Sequence, residues 1–381
     1  MDSSLGATLS SDPSPPNSKT PTIAVIMPNW IGDACMATPT LRSLRQGYPD
    51  ARLVGVMSSL VDELLPNAVD EDCFDQRILV HRRGKQRVAH SVSRSSLVRE
   101  LRKSKCDAVL ILPNSFWSAA VAFACRIPRR VGYRRDGRAW LLTDAIPVPK
   151  NESGPIPVSA IDYYLKQAEW LGCEKQSRSM QLSVTPQDQE LTDRLWSKLG
   201  FSFSLPTVVI NSNSAKDASR VWPRENVAEL ARRLATEAGL QVLLHCGPGE
   251  RQSAADTVAL ASHPKVLSMG VVDELPLGLS RGVLQRAAAV VTTDSGARHM
   301  AVALNRPVVT LFGSTSPFWT TTYNKPEQQV YLDLDCQPCY KSTCPLSHHR
   351  CMQDIGVSQV YALTLKQIEM AADKQNPARV A

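Results

Sequence analysis

The sequence predicts an α/β protein built from two doubly wound parallel-sheet domains that face each other across a cleft. Three observations carry this reading. Short β-branched runs alternate with segments of helical period along most of the chain. The alternation pauses once, over residues 172–206, and then resumes. The length, 381 residues, exceeds one compact core and suits two domains of ordinary size.

The elements follow in order. Residues 1–21 hold six serines and four prolines without periodicity and read as a disordered tail. The first domain, 22–172, offers strands at 22–27, 52–57, 78–81, 107–112 and 130–133, with helices at 34–46, 92–104 and 115–125. Residues 173–205 form a linker region around one helical stretch. The second domain, 206–357, offers strands at 207–211, 241–246, 266–269, 289–293 and 307–312, with helices near 225–237, 250–261, 276–287 and 297–304. The remaining 358–381 carry a closing helix at 358–374, read as packing back across the domain junction. Ligands of such sheets bind outside the carboxyl ends of the strands. The chemistry is therefore expected on strand-to-helix turns.

Composition narrows the class. Apolar residues make up 43% and charged residues 21%, the balance of a globular chain. No apolar run reaches the ~18 residues of a membrane-spanning helix. Ten scattered cysteines and the absence of an export signal at the start imply reduced thiols and a cytoplasmic location. Net charge is +7, but residues 77–138 hold 16 Lys/Arg against three acids. That block calls for an anionic partner or is a solvated face. Nucleic acid is disfavoured, because aromatics are few (6%) and no recognition signature is present.

Four turns stand out. Trp30-Ile31-Gly32-Asp33 puts a carboxylate where a helix cap belongs; Asp33 is either that cap or a general base at the cleft mouth. Asn211-Ser212-Asn213-Ser214-Ala215-Lys216, leading to Arg220-Val221-Trp222-Pro223, combines small polar groups with two cations suited to phosphate oxygens. His245-Cys246-Gly247-Pro248-Gly249-Glu250 supplies a glycine turn and an acid able to hold ribose hydroxyls. Asp294-Ser295-Gly296-Ala297-Arg298-His299 opens a helix whose first N–H groups are free to meet an anion.

Taken in order with Leu112-Pro113-Asn114-Ser115-Phe116, these segments resemble the lipopolysaccharide heptosyltransferases of glycosyltransferase family nine, and most closely their heptosyltransferase II branch. The resemblance spans roughly residues 22–375. It implies a GT-B fold and inverting, metal-independent transfer of heptose from ADP-heptose to the lipid A–linked inner core, with no cofactor. It implies Asp33 as general base. Arg220, Asp294, Ser295, Gly296 and His299 fall on donor-binding positions, and Glu250 lies near the adenosine ribose; Ser214 and Lys216 are donor-phosphate candidates from the chemistry of their own turn, where the family usually has a glycine-containing one. Arg130, Arg134 and Arg138 are candidates for the acidic acceptor, and the basic block for an anionic inner-membrane surface.

The chain departs from the family pattern in places. Arg220-Val221 replaces Lys-Arg before Trp-Pro, keeping charge but changing geometry. Arg298 stands where an apolar residue is usual. Asp333-Leu334-Asp335 imitates a metal motif but lies outside the expected turns and reads as structural. Cys336, Cys339, Cys344 and Cys351, with His348 and His349 nearby, form a possible metal-ligand set of non-standard spacing. Two other functions remain open: a GT-B transferase using a different nucleotide sugar, and a catalytically inactive binding protein of the same fold.

Overall fold

The computed structural model describes residues 20–65, 73–81, 91–152, 154–212, 217–323 and 326–375. The first domain runs β1 (Thr22–Ile26), α1 (Ile31–Gly47), β2 (Arg52–Met57), α2 (Ser59–Leu64), β3 (Gln76–Leu79), α3 (Leu97–Lys103), β4 (Ala108–Ile111), α4 (Phe116–Ala124), β5 (Arg129–Tyr133) and β6 (Asp144–Ile146). A small hairpin, β7 (Lys150–Asn151) with β8 (Gly154–Pro155), precedes α5 (Ala160–Leu171) and α6 (Pro186–Leu199). The second domain runs β9 (Thr207–Asn211), α7 (Arg224–Thr236), β10 (Gln241–Leu244), α8 (Arg251–Ala261), β11 (Val266–Ser268), α9 (Leu277–Arg286), β12 (Ala289–Thr293), α10 (Gly296–Ala303), β13 (Val308–Leu311) and β14 (Glu327–Val330). The short α11 (Arg350–Gln353) and α12 (Val357–Gln375) close the chain.

Each domain is a six-stranded sheet, ordered β3-β2-β1-β4-β5-β6 and β11-β10-β9-β12-β13-β14. All pairings within both are parallel. Central strands such as Thr22–Ile26 and Ala108–Ile111 are buried on both faces, which is why they read as continuous apolar runs. Within the two large sheets, the strands the sequence did not reveal, β6 and β14, lie at the edges. An edge strand has one neighbour to satisfy and needs no apolar run; β14 reads Glu-Gln-Gln-Val.

Two expectations about helices change. Asp33 is not a cap: Trp30 occupies the N-cap and the helix is already formed at Ile31. The closing helix α12 does not follow the expected crossing; its packing is against α7 and strands β12–β14 of the second domain. On either side of the domain boundary, α5, the last helix of the first domain, lies on α1, and α6 of the linker lies on α9. Arg281 of α9 pins this junction. Its guanidinium forms a buried pair with Asp188 of α6 (2.8 Å) and also donates to the Glu63 carbonyl at the end of α2. The Glu63 carboxylate in turn accepts the Leu277 N–H at 2.6 Å.

Candidate active site

In both sheets the strand order reverses beside the central strand, between β1 and β4 and between β9 and β12. The crevices that doubly wound sheets use for ligands open there, at the carboxyl ends of these strands. The two crevices meet. The N-terminal turn of α1 packs against α10, and the contact is close because both turns carry glycine. A β-carbon at Gly32 would lie 2.6 Å from the His299 ring, and one at Gly296 would lie 3.1 Å from Ile31.

Asp33 sits in the first turn of α1, half-buried. Burial raises its carboxyl above the usual carboxylate range; the Tyr164 hydroxyl, donating to Oδ1 at 3.2 Å, opposes this, and the charge of Asp294 reinforces it. A carboxylate so treated holds a proton more tightly than a solvated one, which suits a base near neutral pH. Tyr164 comes from α5, far along the chain, and nothing local in the sequence marks it.

Across the cleft, Ser295 is the N-cap of α10, and its side chain makes no capping hydrogen bond to that helix. Its hydroxyl donates instead to Oδ1 of Asn211 (3.2 Å) at the end of β9. Asn211 also holds Nδ1 of His245 at 3.1 Å, and His245 Nε2 meets the Ser280 hydroxyl at 3.0 Å. Arg220 donates from Nη1 to the Asp294 carbonyl at 3.1 Å and lies 3.4 Å from Asp217. Its Nε is buried and has no partner among the described residues. His299 is buried too; its Nδ1 has no partner among the described residues, and Nε2 is 3.8 Å from Asp294. Burial, with Arg298 close by, lowers the His299 imidazole to about 4, so it is neutral at physiological pH.

Arg298 explains its own departure from the family pattern. Fully buried, it pairs with Asp294 (3.0 Å) on one side and Glu327 of β14 (2.6 Å) on the other, with its guanidinium over the Phe312 ring. Burial is the largest influence and would raise both carboxyls; Arg298 with His299, Thr315 and Arg220 outweighs it at Asp294, which lies below its ordinary range, and Arg298 with Thr310 and Thr322 outweighs it at Glu327, which is held at about 2. Thr315 and Thr320 complete the shell around Asp294. Asp294 is thus locked in place as an anion rather than presented to solvent.

The other expected site residues divide. Ser214 and Lys216 lie outside the described residues. Glu250 accepts the Gly247 N–H at 2.8 Å, so one of its oxygens closes the glycine turn. Arg138 is corrected: it is fully buried, and its guanidinium donates to the carbonyls of Tyr133, Pro113 and Ser115 and to the Asn114 side chain. It braces the turn after β4 and has no face for an acceptor. Arg130 is corrected as well. It sits near the start of β5, at the end of the sheet away from the cleft, donating to the carbonyls of Leu141 and Ile127. Arg134, just past the end of β5, is exposed on the cleft side of the sheet.

Phe116 and Phe123 of α4 each pack against Trp140 while all three stay exposed, Trp140 by 65%. Arg130 lies over Phe123, and a pocket between them is lined also by Arg126 and Pro128. In the second domain the last four of the ten cysteines, Cys336, Cys339, Cys344 and Cys351, line one pocket with His348, Ser219 and Ser314. Asp333-Leu334-Asp335 lies in irregular chain just before them.

Comparison with known proteins agrees with this geometry. Residues 94–349 match the model of glycosyltransferase family 9 (heptosyltransferase). The chain is 28% identical over 357 residues to lipopolysaccharide heptosyltransferase 2 of Salmonella typhimurium, covering 89% of this chain and 96% of that protein. Among solved structures, the E. coli ADP-heptose LPS heptosyltransferase II superposes with a TM-score of 0.73 at 23% identity, covering 92% of this chain and 99% of that one. A family 9 glycosyltransferase from Veillonella parvula gives 0.75 at 18% identity, covering 92% and 97%. With its two-sheet fold and a motif-bearing cleft matched along most of its length, the chain belongs to glycosyltransferase family 9, the heptosyltransferases, and is a glycosyltransferase.

Proposed function

We propose that the protein transfers heptose from ADP-heptose to the inner core of lipopolysaccharide with inversion at the anomeric carbon. The observation that carries this is the opposition of Asp33 on α1 to Arg220 and the uncapped start of α10, across helix ends in contact. Asp33 takes the proton of an acceptor hydroxyl, and that oxygen attacks C1 of the heptose. The bond from C1 to the diphosphate breaks, and its electron pair leaves with ADP. Negative charge then grows on the phosphates. The Arg220 guanidinium, whose Nε has no partner among the described residues, and the first N–H groups of α10 are the groups that neutralise it. These are fixed before reaction, as Asp294 is held by Arg298 and Thr315. Cations and oriented amides thus supply the leaving-group stabilisation, so the step is written without a metal ion.

The acceptor in this reading is anchored in a membrane. The exposed Phe116, Phe123 and Trp140, flanked by Arg126, have the composition of a surface that seats at a lipid interface, aromatics in the headgroup layer and cations toward anionic lipid. Arg134 is the acceptor-side cation that remains. Arg82, Arg83, Lys85 and Arg87 of the basic block lie outside the described residues.

The deciding experiment is a nucleotide screen followed by a transfer assay. ADP should stabilise the protein against heat well above UDP and GDP, and ADP-heptose should label a heptose-deficient lipid A–linked acceptor. Preferential stabilisation by UDP or GDP would assign a different nucleotide sugar. Binding of ADP-heptose without transfer to any core acceptor would leave a binding protein.

A further inference from the structure

The first-turn amides of a helix are ordinarily met by the side chain at its N-cap, and serine is among the residues best suited to the task. Among the described helices of eight residues or more, four begin on Ser or Thr. In α4, α5 and α6 that side chain accepts a first-turn N–H, from Ser118, Ile161 and Asp188 respectively. In α10 it does not: Ser295 makes no capping bond. Its hydroxyl is drawn elsewhere.

That hydroxyl donates to Asn211 Oδ1 at 3.2 Å and lies 3.1 Å from the Thr292 hydroxyl. Asn211, the last residue of β9, is buried, and its amide can face only one way. Nδ2 donates to the His245 carbonyl at 3.3 Å; a carbonyl only accepts, so Oδ1 is the atom left for Ser295. The same Nδ2 lies 3.1 Å from His245 Nδ1, which must therefore accept. The ring proton is then on Nε2, which donates to the Ser280 hydroxyl at 3.0 Å. This is the neutral imidazole, in keeping with the lowering of His245 to about 4 by burial. One chain of polar contacts thus runs from Ser280 of α9 through His245 and Asn211 to the start of α10.

We propose that Asn211, its amide oriented by His245, is a positioning residue that holds Ser295 off the first turn of α10 and so keeps those N–H groups for the donor phosphates. A capping hydroxyl is tethered to its helix and competes with an incoming diphosphate at every encounter. Diverting it beforehand removes that competition, so the site is organised before the donor arrives. The inference rests on the donor reading above and names what holds that helix end open.

Calorimetry of the full-length protein with ADP and with adenosine, which carries no phosphate, tests this. Asn211→Ala should weaken ADP binding by about 3–10-fold, the equivalent of one capping bond, and leave adenosine affinity native. His245→Leu should weaken ADP binding in the same direction. His245→Asn, which keeps an acceptor near the Nδ1 position, should stay close to native. This pair keeps the test decisive even where Asn211→Ala fails to fold. The effect should also pass through Ser295. In a Ser295→Gly background, with no hydroxyl to cap the helix, adding Asn211→Ala should change ADP affinity by less than about 2-fold. Native ADP affinity in both Asn211→Ala and His245→Leu overturns the proposal, as does an equal loss of ADP and adenosine binding or an undiminished effect in the Ser295→Gly background. Native protein that binds no ADP overturns the donor reading itself.

Discussion

Gly32 and His299, one from each domain, approach so closely that a methyl group on Gly32 would stand 2.6 Å from the imidazole. The ring is buried and flanked by Arg298 and Asp294, so it has little room to give. Gly32→Ala should therefore push the two helix starts apart. We expect a stability loss of about 1–3 kcal/mol, the usual cost of overpacking, with turnover falling more than ADP affinity. Native turnover in this variant, measured beside its melting temperature, would show that the cleft does not need this contact.

Asp33→Asn keeps the shape and the Tyr164 contact but removes the proton acceptor. Turnover should fall by roughly 10²–10⁴-fold while ADP binding, measured by calorimetry, stays close to native. Because burial raises the Asp33 carboxyl, the acid limb of the pH–rate profile should lie above that of an ordinary carboxylate. Tyr164→Phe should move that limb further up, since the hydroxyl opposes the rise.

Arg220→Ala should weaken ADP binding by about 1.5–3 kcal/mol, the worth of a charge-assisted hydrogen bond. Turnover should drop further, because charge on the leaving phosphates is greatest in the transition state. If binding and turnover are both unchanged, another cation holds the diphosphate, and Lys216 is the first to replace.

Glu327→Ala strips one side of a fully buried guanidinium. Removing a partner from such a pair costs about 3–5 kcal/mol, and denaturant unfolding should register it. Replacing Arg298 by an apolar residue as well should not rescue the loss, because the buried Asp294 then keeps its charge without its closest cation; a double variant as stable as the native protein would refute this account of the network.

Two buried histidines set an acid limit on stability. Burial lowers both His245 and His299 from 6.5 to about 4 in the folded protein. Between those values the unfolded chain binds protons that the native one excludes, so unfolding becomes easier as pH falls through this window. Each group adds a slope of up to about 1.4 kcal/mol per pH unit. Above pH 6.5 the two contribute no pH dependence. His245→Asn should flatten the stability profile between pH 6.5 and 4; an unchanged slope would mean the ring is not held neutral.

The alternating β and α pattern, the pause between domains and the ordered motifs are local properties of the chain, and they carried the fold class and family into view. Strand and helix periods survive in sequence wherever an element is buried along its length, as with residues 207–211 and 289–293, which fold as read. What escaped is what a partner decides. β6 and β14 are strands because a neighbour offers them hydrogen bonds, not because of their own pattern. Tyr164 reaches Asp33, and Glu327 reaches Arg298, across sequence separations of 131 and 29 residues, so only the folded chain brings them together. The three arginines near the end of the first sheet look alike in sequence, yet burial makes Arg138 a brace, position turns Arg130 away from the cleft, and only Arg134 faces it. A side chain's charge is written in its own residue, but whether that charge meets solvent, a carbonyl or a substrate depends on which distant surfaces the chain brings around it.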